Sequence, residues 1–171
     1  MARNKAVIRL LSVIGLVFSL SGSLYSAGSS AFSIGSPAPE LSLQKLNGAT
    51  FNLSSLKGKP VLLSFYTTWS DSCVENLKFL NSIDKTFKGI DIVTVAFENK
   101  ASKTSSFLKK NNIDLFTLLD AGKESIKDYQ ILIIPMTFLI DANGMIDKIY
   151  VDFDDTVKES MVSDIKQLLS N

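Results

Sequence analysis

Residues 61–66, V-L-L-S-F-Y, form a short apolar, β-prone run that breaks off at Thr67-Thr68-Trp69-Ser70-Asp71-Ser72, and helical spacing begins at Cys73. A run that is apolar at nearly every position predicts a strand covered on both faces, so the sheet that holds it needs packing on each side. From Cys73 onward, Val74, Leu77, Leu80, Ile83 and Phe87 recur every three or four residues and predict a helix of about four turns that stops near Gly89. A buried strand feeding a helix through a tight turn points to an α/β architecture, with the chain's one thiol at the helix start.

The rest of the chain is consistent with that frame. Residues 33–40, S-I-G-S-P-A-P-E, carry two prolines and predict an extended lead-in. Residues 41–43 and 51–53 alternate apolar and polar around Asn47-Gly48, a hairpin signal. A second central strand is predicted over 92–97, a helix over 102–112 with Phe107 and Leu108 facing inward, a strand over 115–119 and a short helix over 123–130. Pro135 stands at the mouth of the next apolar strand, where its missing N–H is tolerable. Ala142-Asn143-Gly144 then turns the chain into a strand over 145–151. Thr156 with Glu159 predicts a capping box for a closing helix whose inner face holds Val157, Met161, Val162, Ile165, Leu168 and Leu169. The expected fold is α/β: a central mixed β-sheet flanked by helices, with an N-terminal β-hairpin extension.

Absences restrict the chemistry. The 171-residue chain has one cysteine and no histidine, and its arginines, Arg3 and Arg9, lie within the first ten residues. One cysteine excludes an internal disulfide. A Ser-His-Asp triad and a zinc site of the usual ligands have nothing to build on, so neither a metal nor another cofactor is expected. A net charge of +1 implies no basic face for nucleic acid.

Arg3, Lys5 and Arg9 precede the apolar residues 10–20, and a stretch of small residues follows. That order predicts a secretory signal over 1–27, cleaved after Ala27 or Ala31, ahead of a domain over 33–171. The competing reading is an uncleaved membrane anchor, for which the apolar run is short against the roughly 20 residues a span needs. Either way the domain is expected outside the cytoplasm, in the periplasm or cell envelope.

Three islands in fixed order carry a family resemblance. They are S-I-G-S-P-A-P-E-L-S-L with L-K-G-K-P-V-L-L-S-F-Y-T-T-W-S-D-S-C, then F-T-L-L-D-A-G, then I-I-P-M-T-F-L-I-D-A-N-G-M-I. Together they resemble the TlpA/ResA-like branch of thioredoxin-fold proteins, which shades into the redoxin and peroxiredoxin group. The resemblance implies a thioredoxin-like fold and an exported thiol-disulfide oxidoreductase. It also implies partners that are extended segments of envelope proteins, such as apocytochrome c, or a membrane thiol reductase. Pro135 matches the family's cis-proline facing the cysteines, and the neighbouring Ile134 backbone would offer an edge to an extended segment.

The family pattern is W-C-x-x-C, and here Ser70 replaces the first cysteine while Cys73 matches the second, resolving position. In the complete motif the first thiolate attacks a substrate disulfide and the second sulfur releases the product. A serine hydroxyl deprotonates far less readily and has no histidine to help it. Two readings of Cys73 stand: a monothiol that an external thiol resolves, or a partly buried small apolar residue. Asp71 is a candidate helix cap. Trp69 would shield the site as the family tryptophan does, or pack in the core as a bare sequence feature. Glu98 lies near where the family carries a glutamate that tunes the cysteine pair, or is a solvated loop acid. Ser70 and Cys73 also loosely resemble the T-x-x-C of peroxiredoxins. Those enzymes need a preceding proline and an arginine; no proline separates Val61 from Cys73, and no arginine follows Arg9. A peroxidase is therefore disfavoured.

Overall fold

The computed structural model of the protein describes residues 33–170; the predicted signal over 1–27 lies outside them. The elements are β1 (Ser42–Lys45), β2 (Thr50–Asn52), a 3-10 turn (Leu53–Leu56), β3 (Val61–Tyr66), α1 (Asp71–Thr86), β4 (Asp91–Ala96), α2 (Ala101–Lys110), β5 (Phe116–Leu119), α3 (Ser125–Asp128), β6 (Met136–Ile140), β7 (Ile146–Val151) and α4 (Asp155–Leu169).

They build one seven-stranded mixed sheet in the order β2-β1-β5-β4-β3-β6-β7. Strands β3, β4 and β5 run parallel, joined through α1 and α2, while β6 returns antiparallel beside β3. Every residue of β3 is buried, as a central strand requires. Alternation along β3 then divides the core. Leu62 and Tyr66 pack with Leu77 and Leu80 of α1, Leu108 of α2 and Met161 of α4. On the other face, Val61, Leu63 and Phe65 pack with Leu41, Leu53, Tyr129 and Ile131.

Both hairpins turn in the same way. In each, a glycine N–H donates to the carbonyl three residues back, Gly48 to Lys45 and Gly144 to Asp141, each at 2.9 Å. These glycines sit at φ +84° and +83°, where a side chain would be strained. The lead-in is held by a bridge from Pro37 to Met145 and by the Tyr129 hydroxyl, which donates to the Pro39 carbonyl.

Several expected boundaries move, for backbone reasons. Helix α2 stops at Lys110, short of 112, because Asn112 is left-handed at φ 55°. Helix α3 is only Ser125–Asp128, between the left-handed Lys123 and Gln130. The cap of α4 is Asp154, whose carboxylate accepts the Val157 N–H at 2.8 Å, so Thr156 and Glu159 form no capping box. Asp154 has the extended backbone a cap requires, whereas Thr156 is already inside the helix. Among the described residues no helix is long and apolar enough to cross a membrane.

Candidate functional site

The site forms where β3 ends. The Tyr66 carbonyl still accepts the Phe97 N–H at 3.0 Å, so the strand is held against the end of β4 up to its last residue. Thr67 is buried, Trp69 turns out to solvent, and Ser70 closes the turn with extended backbone at φ −97°, ψ 127°. That geometry makes Ser70 the N-cap of α1. Its hydroxyl accepts the Cys73 N–H at 3.4 Å, and its carbonyl accepts the Val74 N–H at 3.2 Å. The expected cap, Asp71, is instead the first helical residue, where its negative charge faces the positive end of the helix dipole.

Cys73 lies one helical turn inward with 0% of its surface exposed, packed among Tyr66, Leu77, Leu80 and Ala96. Ser70 thus stands at the outer position of the motif and the sulfur at the inner one. As arranged, the hydroxyl satisfies a helix N–H, and the thiol behaves as a small apolar side chain.

The loop opposite closes on this turn. The Ile134–Pro135 peptide bond is cis, and Pro135 is buried at the start of β6, whose Met136 pairs with Phe65. Asp152 connects the two sides: its N–H donates to the Pro135 carbonyl at 2.9 Å, and its carboxylate accepts the Ser72 hydroxyl at 3.0 Å. Ile134 is half-buried and its side chain reaches both halves of the core. Leu132 and Ile133 before it are exposed.

Two expectations from the sequence are corrected here. Trp69 is 74% exposed, so it is not core packing; it lines a groove beside the turn. Glu98 is no solvated loop acid, being only 7% exposed. Lys103 donates to both its oxygens, at 2.9 and 2.8 Å, and the Thr68 hydroxyl donates to one of them. Burial pushes the Glu98 carboxyl up, but those hydrogen bonds outweigh it and hold the group below the usual carboxylate range. Glu98 therefore ties Thr68 of the turn after β3 to the first turn of α2.

Asn76 is a site residue that apolar periodicity misses. It is fully buried on α1, three residues after Cys73, and its amide donates to Ser64 at 2.9 Å; Ser64 in turn shares a 2.8 Å bond with Thr137. A helix scanned for apolar spacing hides inward-facing polar residues, and only the unexplained serine within 61–66 hinted that a partner lay across from it.

Against known proteins, the AhpC/TSA family pattern matches residues 34–149, more than half the chain. The chain belongs to the AhpC/TSA family. Among relatives of this AhpC/TSA protein, the thiol-disulfide oxidoreductase ResA of Bacillus subtilis is 32% identical over 136 residues, 78% of this chain and 74% of that one. The ResA of Bacillus thuringiensis subsp. konkukian is 29% identical over 111 residues, and the match spans a little under two thirds of its length, 64%. A Chlorobium tepidum structure, assigned as a thiol:disulfide interchange protein DsbE, superposes with a TM-score of 0.76 at 26% identity over 81% of this chain and 99% of that one. The fold is thioredoxin-like, and the family is that of ResA- and DsbE-like thiol-disulfide oxidoreductases. In this AhpC/TSA member a single sulfur occupies the turn.

Proposed function

We propose that this chain is an exported member of the family that holds extended segments of thiol- or disulfide-containing envelope proteins without completing a dithiol-disulfide cycle. The observation that carries the reading is the pairing of Ser70 with Cys73: a capping hydroxyl occupies the outer motif position, and the chain's only thiol is fully buried. A relay that attacks and then resolves needs two sulfurs. The turn, the cis-proline loop and the fold around them are retained, which suits a binding role. Export rests on the basic, apolar, small-residue order of the first 31 residues. Partners of the apocytochrome c or membrane thiol-reductase kind follow from the family resemblance.

The test is insulin reduction by dithiothreitol. The protein is expected to leave the rate at that of dithiothreitol alone, and Cys73→Ala to change nothing. Catalysis that disappears in Cys73→Ala would instead establish a monothiol oxidoreductase resolved by an external thiol.

A further inference from the structure

Two turns of this chain share one backbone and differ chiefly in the side chain that opens them. In the hairpin between β1 and β2, the Lys45 N–H donates to the Ala49 carbonyl at 2.8 Å and the Gly48 N–H to the Lys45 carbonyl at 2.9 Å. Between β6 and β7 the same pair recurs: the Asp141 N–H donates to the Met145 carbonyl at 2.8 Å and the Gly144 N–H to the Asp141 carbonyl at 2.9 Å. The glycines match too, at φ +84° and +83°, and each follows an exposed asparagine, Asn47 or Asn143. Asparagine before glycine is a reactive pairing, because no side chain keeps the glycine nitrogen from the asparagine carboxamide.

The opening residue sets the two carboxamides apart. Asp141 turns its carboxylate onto its own turn: Oδ1 accepts the N–H groups of Asn143 at 2.9 Å and Met145 at 2.8 Å, and Oδ2 accepts Asn143 Nδ2 at 3.3 Å. A negative charge thus lies against the Asn143 amide. Lys45 has no acceptor to offer, and its ammonium sits over the Phe51 and Phe116 rings, 5.7 and 5.5 Å from their centroids. Asn47 closes the turn itself, its Oδ1 accepting the Ala49 N–H at 3.1 Å.

We propose that Asn47 is a site of spontaneous deamidation and that Asp141 protects Asn143 from the same reaction. After hydroxide removes the Gly48 amide proton, the nitrogen attacks Asn47 Cγ and negative charge gathers on Oδ1, where the Ala49 N–H already points. The new N–Cγ bond closes a succinimide as the Cγ–Nδ2 bond breaks, and the side-chain nitrogen takes a proton from water and leaves as ammonia. Water then opens the imide at one carbonyl to give aspartate, or at the other to give isoaspartate. At Asn143 the same charge would develop beside the Asp141 carboxylate, which opposes it. The glycine N–H bond that must first be released is the same in both turns and cancels from the comparison. Isoaspartate adds a methylene to the main chain, so the Gln44–Thr50 pairing beside the turn loses its register in this outermost strand pair.

The full-length protein is held at mildly alkaline pH, and proteolytic peptides containing each asparagine are followed by mass spectrometry. Asn47 is expected to convert roughly five- to tenfold faster than Asn143. Asp141→Asn, which keeps an acceptor at Oδ1 and removes the charge, should bring Asn143 to a similar rate, and Lys45→Asp should slow Asn47. In denaturing urea the two rates of the parent protein should converge. Asn143 converting as fast as Asn47 in the native protein, or a gap that persists in urea, would overturn the proposal. An Asp141→Asn variant whose Asn143 stays slow, together with a Lys45→Asp variant whose Asn47 stays fast, would overturn the protective role of the carboxylate.

Discussion

Ser72 and Asp152, eighty residues apart in the chain, share a 3.0 Å hydrogen bond that fastens the first turn of α1 to the loop after β7. Because the Asp152 N–H also donates to the Pro135 carbonyl, one residue sets the spacing between α1 and the cis-proline loop. Asp152 adopts φ 64°, a left-handed conformation that costs a non-glycine residue energy, so its side-chain bond offsets a backbone penalty.

Asp152→Ala should therefore destabilise the fold by about 1–2 kcal/mol, combining a lost hydrogen bond with an unrelieved left-handed backbone. Asp152→Gly should cost less, because glycine removes the backbone penalty. Urea unfolding of the two variants orders them; a glycine variant less stable than the alanine variant would contradict this role.

Glu98 predicts a specific pH dependence. Its folded-state carboxyl is held below the usual range, so its contribution is complete above that range and is lost as pH falls through the lowered folded value. Lys103→Met removes the main partner and should flatten the acid side of the stability curve relative to the parent protein. Urea midpoints measured from neutral pH down to about pH 3 provide the comparison. Parallel acid limbs would show that the ion pair adds nothing.

Burial of Cys73 makes a kinetic prediction. Iodoacetamide should fail to label the native protein at neutral pH, and labelling should become rapid in denaturing urea. Native labelling at the rate of a free thiol would contradict the packing around Cys73 and favour the monothiol reading.

The parts of the fold read correctly from sequence are those where composition and backbone geometry agree. The 61–66 strand is apolar because both faces are covered, and Gly48 and Gly144 stand where only glycine turns without strain. The site was less legible, since its polar residues act through partners distant in sequence. Glu98 resembles any loop acid until Thr68 and Lys103 surround it, and Asp152 passes for an ordinary surface charge until the chain brings Ser72 to it. Asn76 is hidden for the same reason: its partner Ser64 lies on a strand packed beneath the helix. Asn76→Ala is expected to cost about 2 kcal/mol by leaving buried space and removing that bond, a loss measurable by the same urea unfolding. A change of less than about 0.5 kcal/mol would mean the amide contributes little.

The central claim is that the turn retains its family geometry and lacks one of the motif's two sulfurs. Thiol titration of Ser70→Cys under mild oxidation tests it most directly. The account predicts that both thiols disappear together and return with dithiothreitol, as an internal disulfide with Cys73 requires. Two thiols that stay free under those conditions would show that the turn itself has diverged and would contradict the account.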